Sequence, residues 1–172
     1  ASHSTYRPVA VYASDVNGDG ITELPRAVLM AGYKDTSSSD AVYMLDWYAY
    51  GIGKVPTKVA TTYQNISDAW SLLIDQKWHD RITIKANDGG LSYVEFFEYR
   101  KNKMSIPLFN IYCATGSNRE YYAERTDLIQ LGQTTQAIYF AKLINEGEQS
   151  ELALTGDEIK ARFSLVNQAW NN

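Results

Sequence analysis

Cysteine is nearly absent from this chain. The single one, Cys113, lies in the apolar run Phe109-Asn110-Ile111-Tyr112-Cys113. No disulfide framework is possible, and a zinc site would lack thiolates. Cys113 therefore reads as a small buried hydrophobe rather than a nucleophile. Histidine is scarce too: His3 stands near the start, and His79 sits in Lys77-Trp78-His79-Asp80. His79 and Asp80 read as a surface or turn pair, because neighbours on a strand point to opposite faces. Basic residues are in deficit, 16 against 20 acidic, for a net charge of -4. That balance argues against a nucleic-acid or anionic-membrane partner. No apolar run approaches the ~20 residues of a membrane-spanning helix. The G-x-S-x-G, H-E-x-x-H, P-loop and dinucleotide fingerprints are all missing. Asp127 and the pairs Glu146/Glu148 and Asp157/Glu158 read as solvated charges. No carboxylate pair is singled out for glycoside hydrolysis. The chain leans away from enzymes.

What is present begins with a loop. Asp15-Val16-Asn17-Gly18-Asp19-Gly20-Ile21-Thr22-Glu23 places oxygen side chains at its first, third, fifth and ninth positions. Calcium wants several hard oxygen ligands around a tight turn. Asp15, Asn17, Asp19 and Glu23 would donate side-chain oxygens and Ile21 its backbone carbonyl. Gly20 would take the φ > 0 turn. A helix-loop-helix hand also needs a bidentate Glu at its twelfth position; here that residue is Arg26, preceded by Pro25. The reading is therefore strand-loop-strand. The plain alternative is an Asx-rich turn without metal, since Asn-Gly and Asp-Gly turn readily by themselves. Against it, three acids in one tight loop repel each other unless a cation sits among them.

The loop resembles the calcium loops of FG-GAP and VCBS repeats, whose pattern D-x-[ND]-x-D-G-x-x-[DE] is matched by Asp15, Asn17, Asp19, Gly20 and Glu23. Glu23 stands where Asp is more usual. The likeness covers roughly residues 9–31. A propeller needs several such blades and no second copy occurs, so the chain is not itself a propeller.

Short strands dominate the rest. Period-two alternation and β-forming residues predict them near 8–14, 24–31, 41–50, 57–63, 69–75, 81–86, 91–100, 107–114, 127–132 and 136–144. Asn87-Asp88-Gly89-Gly90 predicts a hairpin turn. A helix is predicted over 156–170: Thr155 and Glu158 form a capping box, and Ile159, Phe163, Val166 and Trp170 make one apolar stripe. A weaker helical turn is predicted over 117–125, with Tyr121 and Tyr122 packing inward. Gly51, Gly53 and Pro56 mark a soft boundary. The expected fold is α+β: mostly antiparallel β-sheet, a C-terminal helix on one face, and an N-terminal β-hairpin bearing the calcium-type loop. Residues 1–52 would form the N-terminal element and 53–172 the sheet and helix, within one shared core.

The order of features also resembles the C-terminal regions of uncharacterised Gram-positive surface lipoproteins. The pieces are Asp15 to Pro25, Asp46-Trp47-Tyr48, Trp70-Ser71-Leu72 and Trp78 to Ile84. The stretch from Gln136 to Glu158 loosely resembles PsbP-like sheets. The likeness implies an exported, cell-surface location, with any membrane attachment through an N-terminal lipid outside this chain. Ala1-Ser2-His3-Ser4 reads as the edge of a mature fragment rather than a signal peptide. Calcium points the same way, because extracellular modules bind it at roughly 10⁻⁴ to 10⁻³ M.

Aromatics supply the last clue, with thirteen tyrosines and four tryptophans. Trp70, Trp78 and Trp170 read as core anchors. If Trp47 faces the core, Tyr48 and Tyr50 form an exposed platform for sugars or a partner; otherwise they are ordinary half-buried strand tyrosines. The expectation is a non-enzymatic extracellular module stabilised by one calcium, meeting an unknown cell-surface ligand or protein. A carbohydrate or cell-wall binding module using Tyr48 and Tyr50, or a hydrolase with an unrecognised site, are the alternatives.

Overall fold

A computed structural model describes residues 8–37, 40–87, 89–101, 103–144, 147 and 149–166. His3, the pair Glu146/Glu148 and Trp170 lie outside the described residues. Among these residues ten strands and two short α-helices follow one another: β1 (Leu24–Leu29), β2 (Tyr43–Ala49), β3 (Thr57–Asn65), β4 (Trp70–Leu73), β5 (Ile82–Asn87), β6 (Ser92–Arg100), β7 (Lys103–Thr115), α1 (Asn118–Ala123), β8 (Ile129–Gln133), β9 (Ala137–Leu143), α2 (Gly156–Arg162) and β10 (Phe163–Leu165), with a single 3-10 turn at Gln76–Trp78 between β4 and β5. They make two five-stranded sheets, ordered β1-β2-β3-β4-β10 and β5-β6-β7-β9-β8. All their pairings are antiparallel. The protein is mostly antiparallel β-sheet.

Both sheets contribute to one core. Met30, Met44, Tyr63, Trp70 and Leu72 come from the first sheet and its connections; Ile84, Phe96, Phe109, Ile111 and Tyr139 come from the second. Tyr63 meets Phe96 edge-on with ring centroids 6.0 Å apart, and Phe163 meets Tyr139 at 5.6 Å. Tyr33 donates its hydroxyl across the molecule to the Ile84 carbonyl at 2.7 Å. Trp78 is fully buried and donates its indole N–H to the Leu152 carbonyl at 3.1 Å, so the apolar body packs while the polar edge stays satisfied. β6 shows the alternation most cleanly: Val94, Phe96 and Glu98 are buried and their neighbours are not. Pro107 is tolerated inside β7 because the pairing with β6 shifts at Phe96/Phe97, opposite it, and β9 pairs only from Phe109 onward; a proline removes a ladder donor and is confined to such places.

Three expectations change. Residues 8–14 form no strand. Only Ser14 bridges Glu23, and Tyr12 is largely exposed. Alternation alone does not make a strand where no neighbouring strand supplies the ladder. The predicted helix 156–170 stops at Arg162. Phe163, Ser164 and Leu165 instead pair with Leu72, Ser71 and Trp70, and Phe163 stacks on Trp70 at 5.9 Å. The free edge of β4 offers ladder bonds and an aromatic seat that another helical turn could not reach. In α1, Tyr122 approaches Phe140 at 6.5 Å, but Tyr121 is exposed. Gly51 to Pro56 link β2 to β3, two paired strands of one sheet.

Candidate metal centre

The loop folds around Asp15. Its Oδ1 accepts the N–H groups of Gly18 at 2.7 Å and Asp19 at 3.1 Å, and its Oδ2 accepts that of Gly20 at 2.9 Å. Asp19 Oδ1 accepts the Ile21 N–H at 2.8 Å. Asn17 accepts the Asp19 N–H on Oδ1 at 3.1 Å and donates through Nδ2 to Asp19 Oδ2 at 2.9 Å. Gly18 and Gly20 have φ of +76° and +84°, with nothing within 4 Å of an added Cβ. Their requirement is conformational, not a matter of space. Ser14 and Glu23 exchange both backbone hydrogen bonds, at 3.1 and 2.9 Å, and so close the loop at its base.

Glu23 differs from the other donors. Asp15, Asn17 and Asp19 are exposed, whereas Glu23 is 0% exposed. Its Oε2 accepts the Val16 N–H at 2.9 Å, while Oε1 is buried without a partner. Among the described residues only Thr83 Oγ1 shares that condition. Asp15, Asp19 and Glu23 each offer an oxygen within 4.8 Å of the others. With calcium–oxygen distances of about 2.3–2.6 Å, oxygens on one ion stand at most about 5 Å apart. The donor set is hard and anionic, the spacing suits one such cation, and a buried oxygen lacks a donor. The residues fit the ion. The structure brings three of the five sequence-predicted donors together directly. Asn17 and Ile21 are tied to the cluster through their bonds to Asp19.

The tyrosines do not behave as a pair. Trp47 is buried and donates its indole N–H to Thr62 Oγ1 at 2.9 Å. Alternation along β2 puts it on the side opposite Met44, so Trp47 does not face the intersheet core. Tyr48 lies on Met44's side and is half-buried, and Tyr50, just past the strand, is exposed.

His79 Nδ1 lies 3.3 Å from Asp80 Oδ2, in a turn where Asp80 takes φ +58°. A turn, unlike a strand, lets adjacent side chains meet. His79 also lines a groove of about 260 Å³ with Lys58, Thr61 and Asp75. Asp75 is already committed: Oδ1 accepts the Lys77 N–H at 3.1 Å and Oδ2 the Arg162 guanidinium at 3.3 Å. The Lys77 hydrogen bond outweighs burial and, with Arg162, holds the carboxyl below its ordinary range. Cys113 is buried, and burial pushes its thiol up to about 11, away from nucleophilic use.

Two polar clusters left no trace in the sequence pattern. Glu98 is 1% exposed and holds Arg100 Nε at 2.6 Å, Arg81 at 3.7 Å and the Ser150 hydroxyl. Burial would raise its carboxyl, but the hydrogen bonds from Arg100 and Ser150 and the charges of Arg100 and Arg81 win, and hold it low. Asp68 accepts Ser92 Oγ at 2.6 Å and Asn65 Nδ2 at 3.1 Å, beside a groove of about 280 Å³. Arg100 and Asn65 are near neighbours of their carboxylates, but Arg81, Ser150 and Ser92 come from distant parts of the chain, so no local motif announces either cluster.

Comparison with protein-family models, with curated proteins and with solved structures finds no match to this chain.

Proposed function

We propose that this chain is a non-enzymatic extracellular module of a bacterial surface protein, stabilised by one structural calcium ion. The ion would be held by Asp15, Asn17, Asp19, Glu23 and the carbonyl of Ile21. One observation carries the reading: a wholly buried carboxylate oxygen, Glu23 Oε1, has no donor and belongs to a three-carboxylate cluster. Buried acceptors are almost always satisfied, so an exception calls for an unseen partner, and a hard cation among acids is the partner this donor set suits. The ion's chemistry is structural: it cancels repulsion among the carboxylates and fixes the loop at the edge of β1. In the same reading, Ser14 and Glu23 nucleate an N-terminal β-hairpin that carries the loop. Helix α2 on the sheet makes the arrangement α+β, and residues 1–52 and 53–172 form one domain. Filling such a loop at the calcium levels typical of extracellular modules supports an exported, cell-surface home.

Thermal melts of chelated protein against added calcium, with magnesium as control, test this. An ion that binds only the folded form adds about 2.7 kcal/mol at a hundredfold excess over Kd, so a calcium-selective rise in Tm is expected. Asp15→Ala and Asp19→Ala should abolish the rise. A Tm indifferent to several millimolar calcium would leave only an Asx-rich turn.

A further inference from the structure

The connection between β2 and β3 is apolar where solvent should be. Tyr50 is 56% exposed, Ile52 105% and Val55 85%. Six residues thus display three large apolar side chains, shaped by Gly51, by Gly53 at φ +68° and by the Lys54 N–H bond to the Gly51 carbonyl at 3.1 Å. Isolated exposed hydrophobes need no explanation, but three crowded onto one hairpin tip mark a contact.

Charge points to the occupant. The chain as a whole is net -4, yet no Asp or Glu occurs from residue 47 to residue 67, while Lys54 and Lys58 do. Lys58 leans on Asp46 at 3.4 Å; Lys54 has no ion-pair partner among the described residues. The tip is therefore apolar and locally cationic, so the whole-chain balance that argues against an anionic-membrane partner does not describe this end of the molecule. An anionic lipid surface offers both complements, acyl chains for the apolar groups and headgroups for the lysine.

The metal loop lies at the same end. Leu24 pairs with Tyr48, so Glu23 enters the sheet where β2 leaves it for the tip. Ile21 and Leu24, 51% and 40% exposed, extend the apolar display there. Without an ion, Asp15, Asp19 and Glu23 would repel anionic headgroups beside the tip. With one, most of that charge is cancelled.

We propose that the Tyr50–Val55 hairpin tip docks on anionic phospholipid and that calcium in the adjacent loop switches the docking on. The calcium dependence rests on the metal reading above. Co-sedimentation of the whole chain with vesicles of phosphatidylcholine, with and without phosphatidylglycerol, tests it in calcium and in chelator. Binding is expected only to the phosphatidylglycerol vesicles, and to weaken about tenfold or more on chelation, since each charge near the surface is worth about fivefold. Ile52→Asp with Val55→Asp should abolish binding but keep the calcium-induced rise in Tm, because both side chains sit outside the core. Asp19→Ala should lose the rise and the calcium dependence together. A calcium-induced rise without any vesicle binding would overturn the docking and leave the metal reading intact. Absence of the rise would overturn the metal reading and the switch with it. Equal binding to neutral vesicles would overturn the anionic surface as partner. Self-association without vesicles, lost in the double variant, would make the tip an interface between copies instead.

Discussion

Glu98 is a buried carboxylate kept charged by the groups around it. Its oxygens are held by Arg100, Arg81 and Ser150, and its carboxyl lies below the ordinary glutamate value despite burial. A carboxyl lowered in the folded state stabilises fully above its unfolded pKa, about 4.3. That contribution is lost as pH falls through the folded pKa. The Tm of the native chain should therefore drop steeply below about pH 4. Glu98→Gln should cost about 2 kcal/mol at neutral pH, because it weakens the charge-assisted hydrogen bonds from Arg100 and Ser150, while Arg81 keeps Glu151 and both guanidinium groups keep solvent. It should also make the acid limb shallower. Differential scanning calorimetry across the acid range reads both effects. An unchanged acid limb in the variant would move the titration to other lowered carboxyls such as Asp75.

Helix α2 depends on its ends. At seven residues it is far shorter than a helix that stands alone in water. Thr155 Oγ1 accepts the Glu158 N–H at 3.3 Å, and Glu158 Oε2 accepts the Thr155 N–H at 2.8 Å. That reciprocal box satisfies two of the orphan donors of the first turn. Ile159 is fully buried beneath it. Gly156 packs so closely that a Cβ would meet Ile129 Cδ1 at 2.5 Å. Thr155→Ala should cost about 1 kcal/mol in urea unfolding, and Thr155→Ser much less. Equal losses would show that the box contributes little and that Ile159 holds the helix by itself. At the far end the Val166 N–H is taken by the Ala69 carbonyl at 2.9 Å. The chain thus leaves the helix for the edge of β4.

At the scale of the molecule, the two sheets share one core, and Met30 and Met44 belong to it along with residues from the rest of the chain. β2 and β3 pair directly across the Gly51–Pro56 connection. The N-terminal element should therefore unfold together with the rest. A single calorimetric transition with equal van't Hoff and calorimetric enthalpies is expected, in calcium and in chelator. A separate early transition in chelator would divide the molecule near residue 52. By itself the sequence determined what depends on near neighbours. The turn of the Asp15–Glu23 loop was legible because its acidic side chains and its turning glycines lie within nine residues. Most strands were legible because each carries its own alternation, and the start of α2 because its box spans four residues. Only the tertiary structure decided what depends on distant partners. It left residues 8–14 without a strand to pair with, drew Phe163 from the helix onto Trp70, and turned Trp47 away from the intersheet core. It also gathered Arg81 and Ser150 around Glu98 and buried Glu23 beneath its loop. A ladder bond, a buried charge or an aromatic seat exists only once both sides are in place, and no local pattern specifies the other side.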